Sequence, residues 1–139
     1  MDNNVTQDVV GVTRFPLSKF KDARGTLSVF DFQKVIGFTA ARLFIVGDTP
    51  ENQVRGNHAH RNSTQVFLWL GGEIELTFKS KTQQTSYILS SSNHAFSCPP
   101  GVWGIQRFIA PNSKLLVLSD YSYDPEDYIT NYEDFSRRV

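Results

Sequence analysis

The chain has 139 residues with 14 basic and 14 acidic side chains, so its formal net charge is zero. That balance leaves no electrostatic footprint for nucleic acid or an anionic membrane, although a few arginines gathered in a pocket would be averaged away. A single cysteine, Cys98, excludes an internal disulfide framework and a cysteine zinc site. The polar stretch from Met1 to Gln7 has no apolar h-region behind it, and no apolar run approaches the roughly 20 residues of a membrane span. The expectation is a cytoplasmic protein of one domain over residues 1–139, with no nucleic-acid or membrane partner.

Residues 1–12 read as a frayed or strand-exchanged start. Short strands are then predicted at Leu27–Phe32, Ala41–Val46 and Gln65–Leu70, the last ending at Gly71-Gly72. Beyond that pair the alternation is strict: Ile74, Leu76 and Phe78 point one way, and Glu73, Glu75, Thr77 and Lys79 the other. Two strands across Gly-Gly predict a hairpin. Further strands are predicted at Thr85–Leu89, Ala95–Cys98, Gly104–Ile109 and Lys114–Ser119. Strands at this spacing with turn signals between them indicate an all-β sandwich or barrel. The one predicted helix opens at Asp124-Pro125-Glu126-Asp127, a capping Asp with Pro and acids in the first turn, and runs to about Ser136.

The chemistry concentrates in Arg55-Gly-Asn-His-Ala-His60. Residues two apart on a strand share a face, so His58 and His60 point together, able to hold a metal or to pass protons near neutral pH. The pair follows a Gly and precedes an apolar strand, and Pro99-Pro-Gly-Val-Trp103 lies one hairpin further on. This arrangement resembles the two motifs of the cupin superfamily, which implies an RmlC-like jelly roll or β-barrel with a short C-terminal helix. Metal-binding cupins take two His and a Glu from the first motif and a His from the second. Here the Glu place falls at Thr64 or Gln65 and the last His place at Gly104. Two His fall short of the three or four ligands of a catalytic metal, so no metal and no cofactor are expected. His94, in a Ser-Ser-Asn turn, reads as a surface residue.

A narrower resemblance covers most of the chain. Asp22-Ala-Arg-Gly25, Arg42-Leu-Phe-Ile-Val46, Arg55 to His60, Pro100-Gly-Val-Trp103, Ser119-Asp-Tyr121, Glu126-Asp-Tyr-Ile129 and Tyr132 are together similar to the sugar-nucleotide 3,4-ketoisomerases, the WxcM-like cupins. The resemblance implies a metal-independent isomerase acting on dTDP-4-keto-6-deoxyglucose, in deoxyamino-sugar biosynthesis for surface polysaccharide, and a homodimer whose first strand could be exchanged. The family often carries Tyr where Phe44 stands, Glu where Thr64 stands and, in some members, His where Gly104 stands.

The residue types fit such a reaction. One of His58 and His60 would work at carbon and the other at oxygen, with His60 favoured at carbon. The diphosphate needs cations, and Arg24, Arg42 and Arg55 stand in family-like positions. Each has an alternative: Arg24 as a solvated turn residue, Arg42 facing water rather than a cavity, and Arg55 pointing away from the His pair unless Gly56 introduces a bulge. Gln65 either bonds a sugar hydroxyl or is an edge residue satisfied by water. Trp103 packs on the ligand or plugs a barrel end, Tyr121 contacts nucleotide or makes a structural hydrogen bond, and Arg107 could fill the space left at Gly104. Cys98 reads as a small buried apolar residue. The alternatives are a 3,5-epimerase, disfavoured because no acid is evident beside the His pair, a metal-dependent oxygenase, and an inactive sugar-nucleotide binder.

Overall fold

The computed structural model describes Val9 and residues 11–91 and 93–137. Two five-stranded antiparallel sheets face each other. The first runs in the order β1 (Thr13–Pro16), β9 (His94–Cys98), β6 (Gln65–Gly71), β11 (Lys114–Ser119) and β4 (Arg42–Val46). The second runs β12 (Tyr128–Ile129), β5 (Gln53–His60), β10 (Trp103–Phe108), β7 (Ile74–Lys79) and β8 (Gln84–Leu89). A separate hairpin pairs β2 (Ser18–Asp22) with β3 (Gly25–Val29). The architecture is the all-β cupin jelly roll that the strand spacing and the two motifs led to.

The alternation along β7 explains the sandwich. Ile74, Leu76 and Phe78 are all but fully buried, and they meet Phe67, Leu115 and Val117 of the opposite sheet in the central core. Two smaller clusters seal the outer faces. Val66, Ala95 and Leu118 lie under Phe32 and Phe38, and Ala59, Trp103 and Ile129 lie under Phe135. Of the residues expected to form a frayed start, Val9 and Val12 are core members, while 1–8 and 10 lie outside the described residues.

Three expectations are corrected. The strand foreseen over 27–32 stops at Val29, and Phe32–Ile36 forms a short helix, α1. Asp31 caps it by accepting from the Lys34 N–H, and Gly37 closes it in the left-handed region. The strands flanking Gly71-Gly72 do not pair: β6 belongs to the first sheet and β7 to the second. Gly72, at φ +79°, turns a corner between sheets, and a Cβ there would clash with Ser113 Oγ. The C-terminal helix foreseen from Asp124 is broken in two. Pro125–Asp127 is a single 3-10 turn, Tyr128–Ile129 extends to pair with β5, and α2 (Tyr132–Arg137) starts afresh with Asn131 accepting from the Asp134 N–H. Burial of Ile129 against Ala59 and Trp103 competes with continuing the helix and wins.

Gly72→Ala combines a positive φ with a clash against the Ser113 backbone and should cost about 2 kcal/mol or more in urea unfolding. Gly71→Ala, whose Cβ would meet nothing within 4 Å, is the control. Equal midpoints for the two variants would contradict this account of the corner.

Candidate active site

The site is built where β5 crosses the open end of the sandwich. β5 and β10 lose register between Gly104 and Ile105: Gly104 faces His58, and Ile105 faces Gly56. Asn57 is therefore an extra residue, and Gly56 and Asn57 adopt φ +76° and +64°. A regular strand would turn Arg55 away from His58, and one extra residue reverses that parity. Arg55 and His58 accordingly line one cavity of about 350 Å³, together with Phe44, Gln65, Gln106 and Tyr128. The bulge is held from the other face by the Trp103 indole, whose Nε1–H donates to Asn57 Oδ1 at 3.0 Å.

His60 lines a small pocket that shares His58, Gln65 and Gln106 with this cavity; it is 7% exposed and its Nδ1 lies 3.0 Å from Asp127 Oδ2. The same carboxylate accepts from the Ser63 hydroxyl at 2.7 Å and the Asn62 N–H at 2.6 Å. Burial works to raise the Asp127 pKa, but these donors and His60 outweigh it and hold the carboxyl below its ordinary range. An ionised carboxylate only accepts, so Nδ1 of His60 carries the proton and Nε2 is the free base. Nε2 is buried with no hydrogen-bond partner, as is Gln65 Nε2 beside it. No sequence signal pointed to this acid, because it lies 67 positions beyond His60 and no spacing rule links them. That overturns the expectation that no carboxylate stands by the pair.

His58 lies edge-on to His60, ring centroids 4.9 Å apart, and the Tyr128 ring packs on both at 5.0 and 4.6 Å. Burial, reinforced by the neighbouring His60, pushes His58 down to about 4. Burial also lowers His60, against the pull of Asp127. Both imidazoles are therefore neutral at pH 7.

The remaining candidates separate. Arg42 faces inward from β4, but its guanidinium is engaged: Nη2–H donates to the Tyr128 hydroxyl and Nε–H to the Tyr121 carbonyl, both at 3.2 Å. Arg24 is a solvated turn residue paired with Asp22, away from the cavity. Trp103, 2% exposed, faces the opposite side of its sheet from the cavity, against Tyr132 and Phe135. Arg107 also points outward, to Glu75 and Asn52, and leaves the space at Gly104 unfilled. Tyr121 contributes its carbonyl, while its side chain is exposed. Gln106, two residues from Gly104 and on the same face, lines the cavity instead. His94 opens β9 and is half-buried rather than in a surface turn. Cys98 is buried, which pushes its thiol up to about 12 and leaves it unreactive.

A cupin metal centre does not fit these donors. Gln65 replaces a carboxylate, Gly104 offers no side chain, and Nδ1 of His60 is committed to Asp127. Among the described residues no group of three His, Cys, Asp or Glu side chains is placed to hold an ion.

A histidine whose pKa falls on folding binds fewer protons in the native state than in the unfolded chain. Its contribution to stability is present at neutral pH and is lost as pH drops from the ordinary 6.5 toward about 4. The thermal midpoint should fall across that window, and His58→Asn should flatten the fall. An unchanged slope in the variant would contradict the assignment.

The chain is similar to known proteins in sequence and fold. A family model described as WxcM-like, C-terminal (FdtA) matches residues 10–139. The TDP-4-oxo-6-deoxy-alpha-D-glucose-3,4-oxoisomerase of Aneurinibacillus thermoaerophilus is 28% identical over 121 residues, 87% of each chain. A 3,4-ketoisomerase from Helicobacter canadensis superposes with a TM-score of 0.86 at 28% identity, covering 91% of this chain and 96% of its own. The WlaRB TDP-quinovose 3,4-ketoisomerase of Campylobacter jejuni gives 0.87 at 27% identity, covering 94% and 100%. The chain belongs to the WxcM-like, C-terminal (FdtA) family.

Proposed function

We propose that this chain is a sugar-nucleotide 3,4-ketoisomerase, converting dTDP-4-keto-6-deoxyglucose to a dTDP-3-keto-6-deoxyhexose through an enediolate. One observation carries the reading: a buried, unpartnered His60 Nε2 in a small pocket that shares His58, Gln65 and Gln106 with the larger cavity, with its other nitrogen held by Asp127. The names of the similar oxoisomerase and ketoisomerases, two of which specify TDP sugars, support the same substrate class.

The C4 carbonyl acidifies the proton on C3. His60 Nε2, neutral at pH 7 and oriented by the carboxylate, removes it, and the same nitrogen returns a proton to the adjacent C4. The enediolate oxygens need donors in place before charge develops, which the neutral His58 and the unpaired Gln65 amide supply. Arg55, brought to this side by the bulge, is the cavity's cation for the diphosphate. Arg42 serves the site indirectly, since its Nε–H and one Nη2–H donate to the Tyr121 carbonyl and the Tyr128 hydroxyl.

A second reading has one observation in its favour. A histidine backed by a carboxylate is what 3,5-epimerisation requires, and His60 with Asp127 is such a pair. The position of the ketone in the product, read by NMR, separates the two. Under the proposed function, His58→Asn and His60→Asn should each lower turnover about 100-fold or more. Near-wild-type rates in both would refute the assignment of these imidazoles.

A further inference from the structure

The keto shift moves two protons, one at carbon and one at oxygen, and His60 accounts only for the first. Resting on the ketoisomerase reading, we infer that Tyr128 is a catalytic residue that carries the oxygen proton, positioned by Arg42. Its phenol lines the cavity beside His58 and Gln65, and its ring packs on both imidazoles. The register pairs Tyr128 directly with His60 across β12 and β5, and the preceding residue is Asp127. One dipeptide therefore delivers the carboxylate that orients the carbon base and a hydroxyl beside that base.

The hydrogen bond from Arg42 sets the direction of the proton. A phenol O–H lies near its ring plane, on one of two sides of the oxygen. Arg42 Nη2–H fills one side at 3.2 Å, so the hydroxyl's own hydrogen turns to the other. The guanidinium is itself clamped between the Phe44 and Tyr123 rings, with 5.3 and 5.5 Å to their centroids. Phe44, which also lines the cavity, has no proton to give, and Arg55 keeps its own at any working pH. His58 is the other candidate, but burial keeps it neutral, and a neutral imidazole is a poor acid.

The steps balance. His60 Nε2 takes the C3 proton, the C–H pair forms the C3–C4 double bond, and the carbonyl pair moves onto the C4 oxygen, which takes the Tyr128 proton. The phenolate is stabilised by the adjacent guanidinium of Arg42. It then removes the proton of the C3 hydroxyl, the C3 carbonyl forms, and the double-bond pair takes the proton of protonated His60 at C4. Both side chains end as they began.

Steady-state kinetics on dTDP-4-keto-6-deoxyglucose, with dTDP affinity by calorimetry, tests this. Tyr128→Phe should lower kcat about 100-fold while KM and dTDP affinity stay within about threefold. Adding Phe44→Tyr to Tyr128→Phe places a phenol beside the same guanidinium and should restore at least about tenfold of that loss. A Tyr128→Phe variant within about threefold of wild-type kcat overturns the inference. So does a loss of kcat matched by the loss of dTDP affinity and thermal midpoint, or a double variant no faster than Tyr128→Phe alone. Wild-type protein without turnover overturns the ketoisomerase reading itself.

Discussion

The hydrogen bond between His60 Nδ1 and Asp127 is the contact on which the rest of the site depends. It joins two groups that are each costly to bury alone, an imidazole and a carboxylate, both under a tenth exposed. The carboxylate is sustained by the Ser63 hydroxyl and the Asn62 N–H as well as by His60, so its burial is compensated. In return it fixes which nitrogen of His60 is the base. The backbone follows the same need. The 3-10 turn at Pro125–Asp127 drops the acid behind β5, the Arg61 N–H donates to the Asp127 carbonyl at 2.7 Å, and Tyr128 pairs with His60.

The second determinant is the extra residue at Asn57. It is a local defect with consequences on both faces of the sheet. On the inner face it swings Arg55 to the side of His58 and so gives the cavity a cation. On the outer face it offers Asn57 Oδ1 to the Trp103 indole, tying the bulge to the cluster beneath α2. Trp103 thus supports the bulge through its hydrogen bond and its packing.

Period-two signals were readable in the sequence because burial on one face enforces them. The β7 alternation, the β6 and β11 apolar runs and the shared face of His58 and His60 all follow from residue order alone. What could not be read depends on which segments meet. Gly71-Gly72 has hairpin chemistry, yet the contact with Ser113 makes it a corner between sheets. Asp124-Pro125 has helix-start chemistry, yet Ile129 is drawn into a distant apolar cluster. Asp127 and Tyr128 belonged to a segment whose family likeness was visible, but nothing local revealed that they reach His60 across the fold. The same limit separated the arginines: Arg24, Arg42 and Arg55 all stand in family-like positions, and of the three only Arg55 lines the cavity.

In the proposed mechanism His60 relocates a proton between adjacent carbons of a 4-keto sugar nucleotide. The most direct measurement is NMR of the product formed from dTDP-4-keto-6-deoxyglucose in D₂O, with wild type and His60→Asn side by side. The expected product has its ketone at C3 and carries no deuterium at C5, and the shift is lost with His60→Asn. A product that keeps its ketone at C4 and carries deuterium at C5 would contradict it.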